Sequence, residues 1–131
     1  MAKAKARRRA LVVEDEPTIN RICLRVLNRE GFEVDVTFNG QAAEEKLKER
    51  EDYDLVLVDI RTPIMNGKEL YQHMKDNHPK VAGRVIFTSG DVMAGNTGRF
   101  LEESGRPFLP KPFTPDELAK IVKESLRQME R

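Results

Sequence analysis

Apolar and polar positions along this chain switch between two periods, and the switching predicts a series of strand-plus-helix units. Leu11, Val12 and Val13 form a short apolar run that stops at the acidic triplet Glu14, Asp15 and Glu16. Pro17 then suits a first helical turn, where its missing N–H leaves no bond unmade. Ile19, Ile22, Cys23, Val26 and Leu27 recur at helical spacing on one face, and Gly31 is placed to end the helix. On that face Cys23 reads as a small core residue rather than a reactive thiol. Phe32, Val34, Val36 and Phe38 alternate with Glu33, Asp35 and Thr37, the period-two pattern of a strand with one wet face, expected at a sheet edge.

The pattern continues in the same manner. Asn39 to Glu51 reads as a polar helix with Ala43 and Leu47 inward, and the unbroken Leu55 to Val58 as a strand buried on both faces, ending at Asp59. Pro63, Asn66 and Gly67 supply turn chemistry before a helix marked by Leu70, Tyr71 and Met74. Val85, Ile86 and Phe87 make a third buried strand that ends at Thr88. Ser89 to Gly98 is polar and Gly-rich, so any helix around Phe100 and Leu101 is short. A last short strand near Phe108 and Leu109 meets Pro110, Lys111 and Pro112. Thr114 or Asp116 then opens a helix with Leu118, Ile121, Val122, Ser125 and Met129 inward.

Five such units predict an α/β fold: a doubly wound, five-stranded parallel sheet in the flavodoxin-like order 2-1-3-4-5, as a single domain with a short or irregular fourth helix. A length of 131 residues with 39% hydrophobic content allows an ordinary core without disulfides, and the single Cys excludes both an internal disulfide and a Cys-based zinc site. The longest apolar stretches are about four residues, far short of the ~20 that cross a bilayer. The start lacks the apolar core of a signal peptide, so a cytoplasmic protein with no membrane partner is expected.

Net charge changes the picture only when it is divided. Met1 to Arg9 carries Lys3, Lys5, Arg7, Arg8 and Arg9 with no acid; taking this +5 from the total of +1 leaves −4 for the rest. Residues 1–9 are therefore expected to be a flexible basic leader to a domain spanning 10–131. The acidic remainder offers no broad phosphate-binding face, which argues against nucleic acid as a partner. His73 and His78 have no metal-ligand pattern nearby and are expected at the surface.

In open parallel sheets, ligands bind beyond the carboxyl ends of the strands where the strand order reverses. Those ends deliver Glu14 and Asp15, then Asp59, Thr88 and Lys111. Two carboxylates about 4 Å apart repel by roughly 4 kcal/mol at an effective dielectric near 20, so three of them call for a cation. An all-oxygen site favours a hard ion such as Mg²⁺. Lys111 adds an ammonium and Thr88 a hydroxyl, and together with the ion they would orient a phosphoryl group on or near Asp59. Each residue alone has an ordinary explanation as a cap or a solvated side chain; the set at matching strand ends points to function.

The segments LVVEDE (Leu11 to Glu16), LVLVDIRTPIMNG (Leu55 to Gly67), VIFTSG (Val85 to Gly90) and PFLPKPF (Pro107 to Phe113) together resemble a bacterial two-component response-regulator receiver domain. The resemblance implies that Asp59 accepts phosphate from a histidine-kinase phosphohistidine, or from a phosphotransfer protein, and that Asp15 and Asp59 bind Mg²⁺. It further implies Glu14 in the outer acidic position, contacting the ion largely through water, and the Arg61 backbone carbonyl as a further ligand. Thr88 would bind the phosphoryl group and Lys111 would pair with it. A cis bond between Lys111 and Pro112 is also implied.

Three positions depart from the family pattern. Glu14 stands where Asp is more common, Phe108 fills the switch-aromatic position often taken by Tyr, and Arg61 places a long cation two residues after Asp59. The path from Ser89 through FLEESGRPFLPKPF is similar to receiver modules of hybrid sensor kinases. Together these imply a phosphorylation-controlled receiver, stand-alone or a module of a larger hybrid kinase, whose output is a changed protein-binding surface for an unidentified downstream protein. Two other readings compete: a pseudo-receiver that binds a partner without phosphorylation, and, ranked lower, a small Mg²⁺-dependent phosphatase. Phosphorylation adds roughly −1.5 to −2 charge units, to which Thr88 and Lys111 are able to respond. One charge-assisted hydrogen bond gives about 1.5 to 3 kcal/mol, whereas a switch from 1:99 to 99:1 needs about 5.5, so Thr88 alone biases the equilibrium without saturating it.

Overall fold

The computed structural model describes residues 8–90 and 96–129, with Met129 described in its backbone only. In chain order the elements are β1 (Arg8–Val13), α1 (Pro17–Arg29), β2 (Phe32–Thr37), α2 (Gly40–Glu49), β3 (Leu55–Asp59), α3 (Gly67–Asn77), α4 (Pro79–Ala82), β4 (Val85–Ser89), α5 (Thr97–Ser104), β5 (Phe108–Pro110) and α6 (Pro115–Met129). All strand pairs are parallel, in the order β2-β1-β3-β4-β5. This is the doubly wound sheet expected from the sequence pattern, and it places β1 beside β3 where the winding reverses.

Strand alternation divides the core into two layers. Ala10 and Val12, Leu55 and Leu57, and Ile86 face the layer that holds Cys23, Val26 and Leu27 of α1 with Leu118 and Val122 of α6. Leu11 and Val13, Val56 and Val58, and Val85 and Phe87 face the opposite layer, with Ala43 and Leu47 of α2 and Leu70, Tyr71 and Met74 of α3. Both faces are covered, and this is why β3 and β4 read as unbroken apolar runs. Burial pushes the Cys23 thiol up to about 12, in keeping with a core role.

Local chemistry ends the elements. Asn39 caps α2 by accepting from the Ala42 N–H at 2.8 Å. Asn66 and Glu69 form a reciprocal capping box at the start of α3, and Thr114 and Glu117 bond each other's backbone N–H groups around the start of α6. A Cβ at Gly40 would run into the Met65 carbonyl, so glycine there lets the β2–α2 loop lie directly against the β3–α3 loop at the carboxyl rim.

Several details differ from the expectations. Arg8 and Arg9 belong to β1, pairing with Phe32 and Glu33, so the strand starts before the expected boundary at residue 10; residues 1–7 lie outside the described residues. The alternation in β2 ends one residue early. Thr37 is buried, its hydroxyl donating to the Val12 carbonyl, while Phe38 lies beyond the strand end and is exposed. The single turn α4, opened by Pro79, is too short to show a period. The helix of the fourth strand-plus-helix unit, α5, is short as expected, and of the polar path from Ser89 to Gly98, residues 91–95 lie outside the described residues. His78 is buried rather than at the surface, because α3 ends and α4 begins on it and its Nδ1 lies 2.7 Å from Glu51 Oε2.

Candidate functional site

The carboxyl ends of β1 and β3 bring Glu14, Asp15 and Asp59 together, with carboxylate oxygens all within 4.8 Å of one another. Glu14 is 2% exposed and Asp59 5%, whereas Asp15 is exposed. Backbone bonds hold the arrangement. The Glu14 N–H donates to Thr37 at 3.0 Å, and its carbonyl accepts from the Asn20 side chain of α1 at 2.8 Å. The Arg61 N–H donates to Asp59 Oδ1 at 3.1 Å. Thr88 is the direct register partner of Asp59 on the adjacent strand and is buried with it.

Lys111 follows β5 and reaches across the rim. Its backbone N–H bonds the Ser89 carbonyl at 3.0 Å, and the Lys111–Pro112 bond is cis. Its Nζ lies 2.9 Å from Glu14 Oε1, 2.8 Å from Glu16 Oε1 and 3.0 Å from Asp59 Oδ2. Burial alone would lower the Lys111 pKa, but hydrogen bonds to Glu16, Glu14 and Asp59 outweigh it and the ammonium is held above its usual range. Burial pushes Glu14 up to about 7, opposed by the Lys111 hydrogen bond and reinforced by the Asp59 charge. An open cleft of about 310 Å³ lies over this cluster, lined by Asp15, Glu16, Asp59, Arg61, Gly90 and Lys111.

Glu14, Asp15, Asp59 and Lys111 thus lie together at the rim with Thr88 in register beside Asp59, and the structure adds one residue to them. Glu16 was visible only as the third acid of a triplet; its contact with Lys111 spans 95 positions and no local pattern signals it. Phe108 is half-buried against the layer that contains Phe87, its register partner on β4, and Phe87 and Phe100 meet edge to face with centroids 5.2 Å apart. Arg61 is an exposed side chain on the cleft wall. The donor set is all oxygen and short of positive charge, so it fits a hard divalent cation.

Comparison with known proteins agrees with this geometry. Residues 10–123 match the response regulator receiver domain family. The chain belongs to that family. As a receiver domain it is similar to two-component response regulator 24 of Arabidopsis thaliana, 32% identical over 119 residues that span 91% of this chain and 84% of that protein. Sensor kinase CckA of Brucella abortus is 31% identical over 121 residues, 92% of this chain but 13% of the kinase. DNA-binding response regulator MtrA of Mycolicibacterium smegmatis is 33% identical, with 95% of this chain and 53% of that protein covered. The receiver chain therefore spans from about an eighth to about half the length of these two relatives.

Among solved structures, the CheY-like receiver domain protein from Methanospirillum hungatei superposes with a TM-score of 0.85 at 26% identity, covering 95% of this chain and 98% of its own. The receiver domain of sensor histidine kinase PA1611 from Pseudomonas aeruginosa, which has a magnesium ion coordinated in its cleft, shares the fold at a TM-score of 0.79 and 24% identity, with 93% and 99% covered. Receiver domains are the phosphoacceptor switches of two-component systems, and they interact with histidine kinases or phosphotransfer proteins. Among the described residues, no helix is long and apolar enough to cross a membrane.

Proposed function

We propose that Asp59 is the phosphoacceptor of this receiver and that Asp15, Asp59 and Glu14, with the Arg61 backbone carbonyl, hold Mg²⁺. The observation that carries the reading is the placement of Asp59 at the end of β3, in register with Thr88 and 3.0 Å from Lys111 Nζ. In the transfer, an Asp59 carboxylate oxygen attacks phosphorus of a phosphohistidine. The P–O bond forms as the P–N bond breaks, and the imidazole leaves. Hydrolysis reverses the acceptor, as water attacks phosphorus and releases inorganic phosphate and the free carboxylate. When bound, the divalent ion neutralises phosphoryl oxygens and so lowers the electrostatic barrier to approach of an anion.

The chain's own groups do the rest. The Arg61 N–H on Oδ1 and Lys111 on Oδ2 orient the Asp59 carboxylate. The Thr88 hydroxyl, one strand away, binds the phosphoryl group, and Phe108 follows through its packing against the layer that contains Phe87. The protein acts as a switch working in the cytoplasm rather than as a turnover enzyme, and its output is a changed surface for a downstream protein. Incubation with Mg²⁺ and acetyl phosphate, followed by intact mass, tests the reading. One phosphate is expected on the wild type and none on Asp59→Asn; a blank wild type, or an equal adduct on the variant, overturns it.

A further inference from the structure

Glu16 occupies the N-cap of α1, a position that favours Ser, Thr, Asp or Asn because a short side-chain oxygen reaches the first free amides. Its side chain makes no capping bond. The carboxylate turns instead to Lys111 Nζ at 2.8 Å. An ammonium has three donors, and at Lys111 three carboxylates stand within hydrogen-bond reach: Glu14, Glu16 and Asp59. A phosphoryl group on Asp59 takes over the Asp59 contact, and any further phosphoryl oxygen on Lys111 must displace Glu14 or Glu16.

The three are not equally easy to displace. Once phosphorylated, Asp59 no longer carries a carboxylate charge and loses nothing by release, whereas the Glu14 side chain is 3% exposed and its release strands a desolvated charge. The Glu16 side chain is 59% exposed and is hydrated as soon as it lets go. We propose that Glu16 is a positioning residue: it parks Lys111 over the cleft, and it is the partner Lys111 gives up when a phosphoryl group forms on Asp59. The proposal rests on Asp59 being the acceptor. Glu16 thereby competes with the phosphoryl group, and a contact this exposed is worth a factor of about two to five.

The test follows phosphorylation of the full chain by acetyl phosphate and Mg²⁺, read by intact mass over time. Glu16→Gln is expected to raise the steady-state phosphorylated fraction, expressed as its ratio to unmodified protein, about two- to fivefold. Glu16→Asp keeps the charge but is one methylene short of Lys111, and it is expected to behave as Glu16→Gln does. In a Lys111→Met background, Glu16→Gln is expected to change nothing. Mg²⁺ affinity of unphosphorylated Glu16→Gln, measured by calorimetry, is expected to stay within about twofold of wild type.

Four results overturn the role: no change in Glu16→Gln, a wild-type value for Glu16→Asp, an equal gain without Lys111, or a tenfold loss of Mg²⁺ affinity, which would make Glu16 a ligand. If the wild type takes no phosphate, or Asp59→Asn takes as much, the acceptor assignment itself falls. A labelled wild type with a blank Asp59→Asn and an unchanged Glu16→Gln sinks Glu16 alone.

Discussion

Two glutamates buried to a similar degree, Glu14 at 2% and Glu44 at 7% exposure, are pushed in opposite directions. Burial drives Glu14 up to about 7 at the carboxyl rim. Burial acts the same way on Glu44, but hydrogen bonds from His73 and Lys48 outweigh it and hold the carboxyl below its usual range. Glu44 has its partners to itself: His73 Nε2 lies 2.9 Å away and Lys48 Nζ 3.4 Å away, where α2 packs on α3 beside a cavity of about 530 Å³. Glu14 shares Lys111 with Asp59 and Glu16 and faces the charge of Asp59 as well. Burial pushes both carboxyls up; at Glu44 the partners outweigh it, and at Glu14 a shared cation and the Asp59 charge leave burial dominant. The flank is neutralised from within and holds two helices together; the rim stays short of positive charge, which suits the divalent ion proposed for it.

The sharpest way to break this contrast is to remove the shared cation. Lys111→Met leaves buried Glu14 and Asp59 without their common partner, and it is expected to destabilise the metal-free protein by about 3 kcal/mol in urea unfolding. Millimolar Mg²⁺ should return part of that loss. His73→Gln removes one member of a half-buried pair and is expected to cost only about 0.5 to 1 kcal/mol with no Mg²⁺ dependence. Equal losses in the two variants would erase the distinction.

The pH dependence separates the two sites by sign. Glu14 titrates near 7 in the folded chain against an ordinary value of 4.5, so the folded state holds a proton that the unfolded state has lost. Between those values stability must fall as pH rises, by on the order of 2 kcal/mol, with the full penalty present above pH 7. Glu14→Gln should flatten this slope in metal-free unfolding curves, and Mg²⁺ should raise Tm more at pH 8 than at pH 5.5. Glu44 has the opposite sign: its contribution is present above pH 4.5 and disappears as pH falls through its lowered folded value, so Glu44→Gln should be closest to wild type in acid. A wild-type slope that survives Glu14→Gln would place the effect elsewhere.

The smallest expected effect isolates backbone from charge at the rim. Ile64, in the loop after Asp59, is exposed at φ 69, a conformation that β-branched residues rarely adopt. Ile64→Asn should add about 0.5 to 1 kcal/mol by relieving it, while leaving the pH slope unchanged. A changed slope would tie this loop to the titration of Glu14.

The five strands and every helix but the single turn α4 were readable from local periodicity, since each needs only neighbours two, three or four positions apart. Asp15, Asp59, Thr88 and Lys111 were readable as well, because a parallel sheet delivers strand ends to one rim. Other features were not. Thr37 and Phe38 exchange their expected burial because the strand stops where Thr37 bonds Val12. Arg8 and Arg9 look like leader residues until β2 supplies pairing partners. His78 is polar in sequence yet buried, its partner Glu51 lying 27 positions away.

Periodicity thus settled the architecture and which side chains reach the rim. It could not settle how charge is shared there. Glu14, Asp59 and Glu16 are alike as carboxylates, and only the folded chain shows all three drawing on one ammonium, two of them buried and one open to water. Secondary structure follows from regular local geometry, whereas electrostatic balance depends on distances and solvent exposure between groups far apart along the chain, and these exist only after packing.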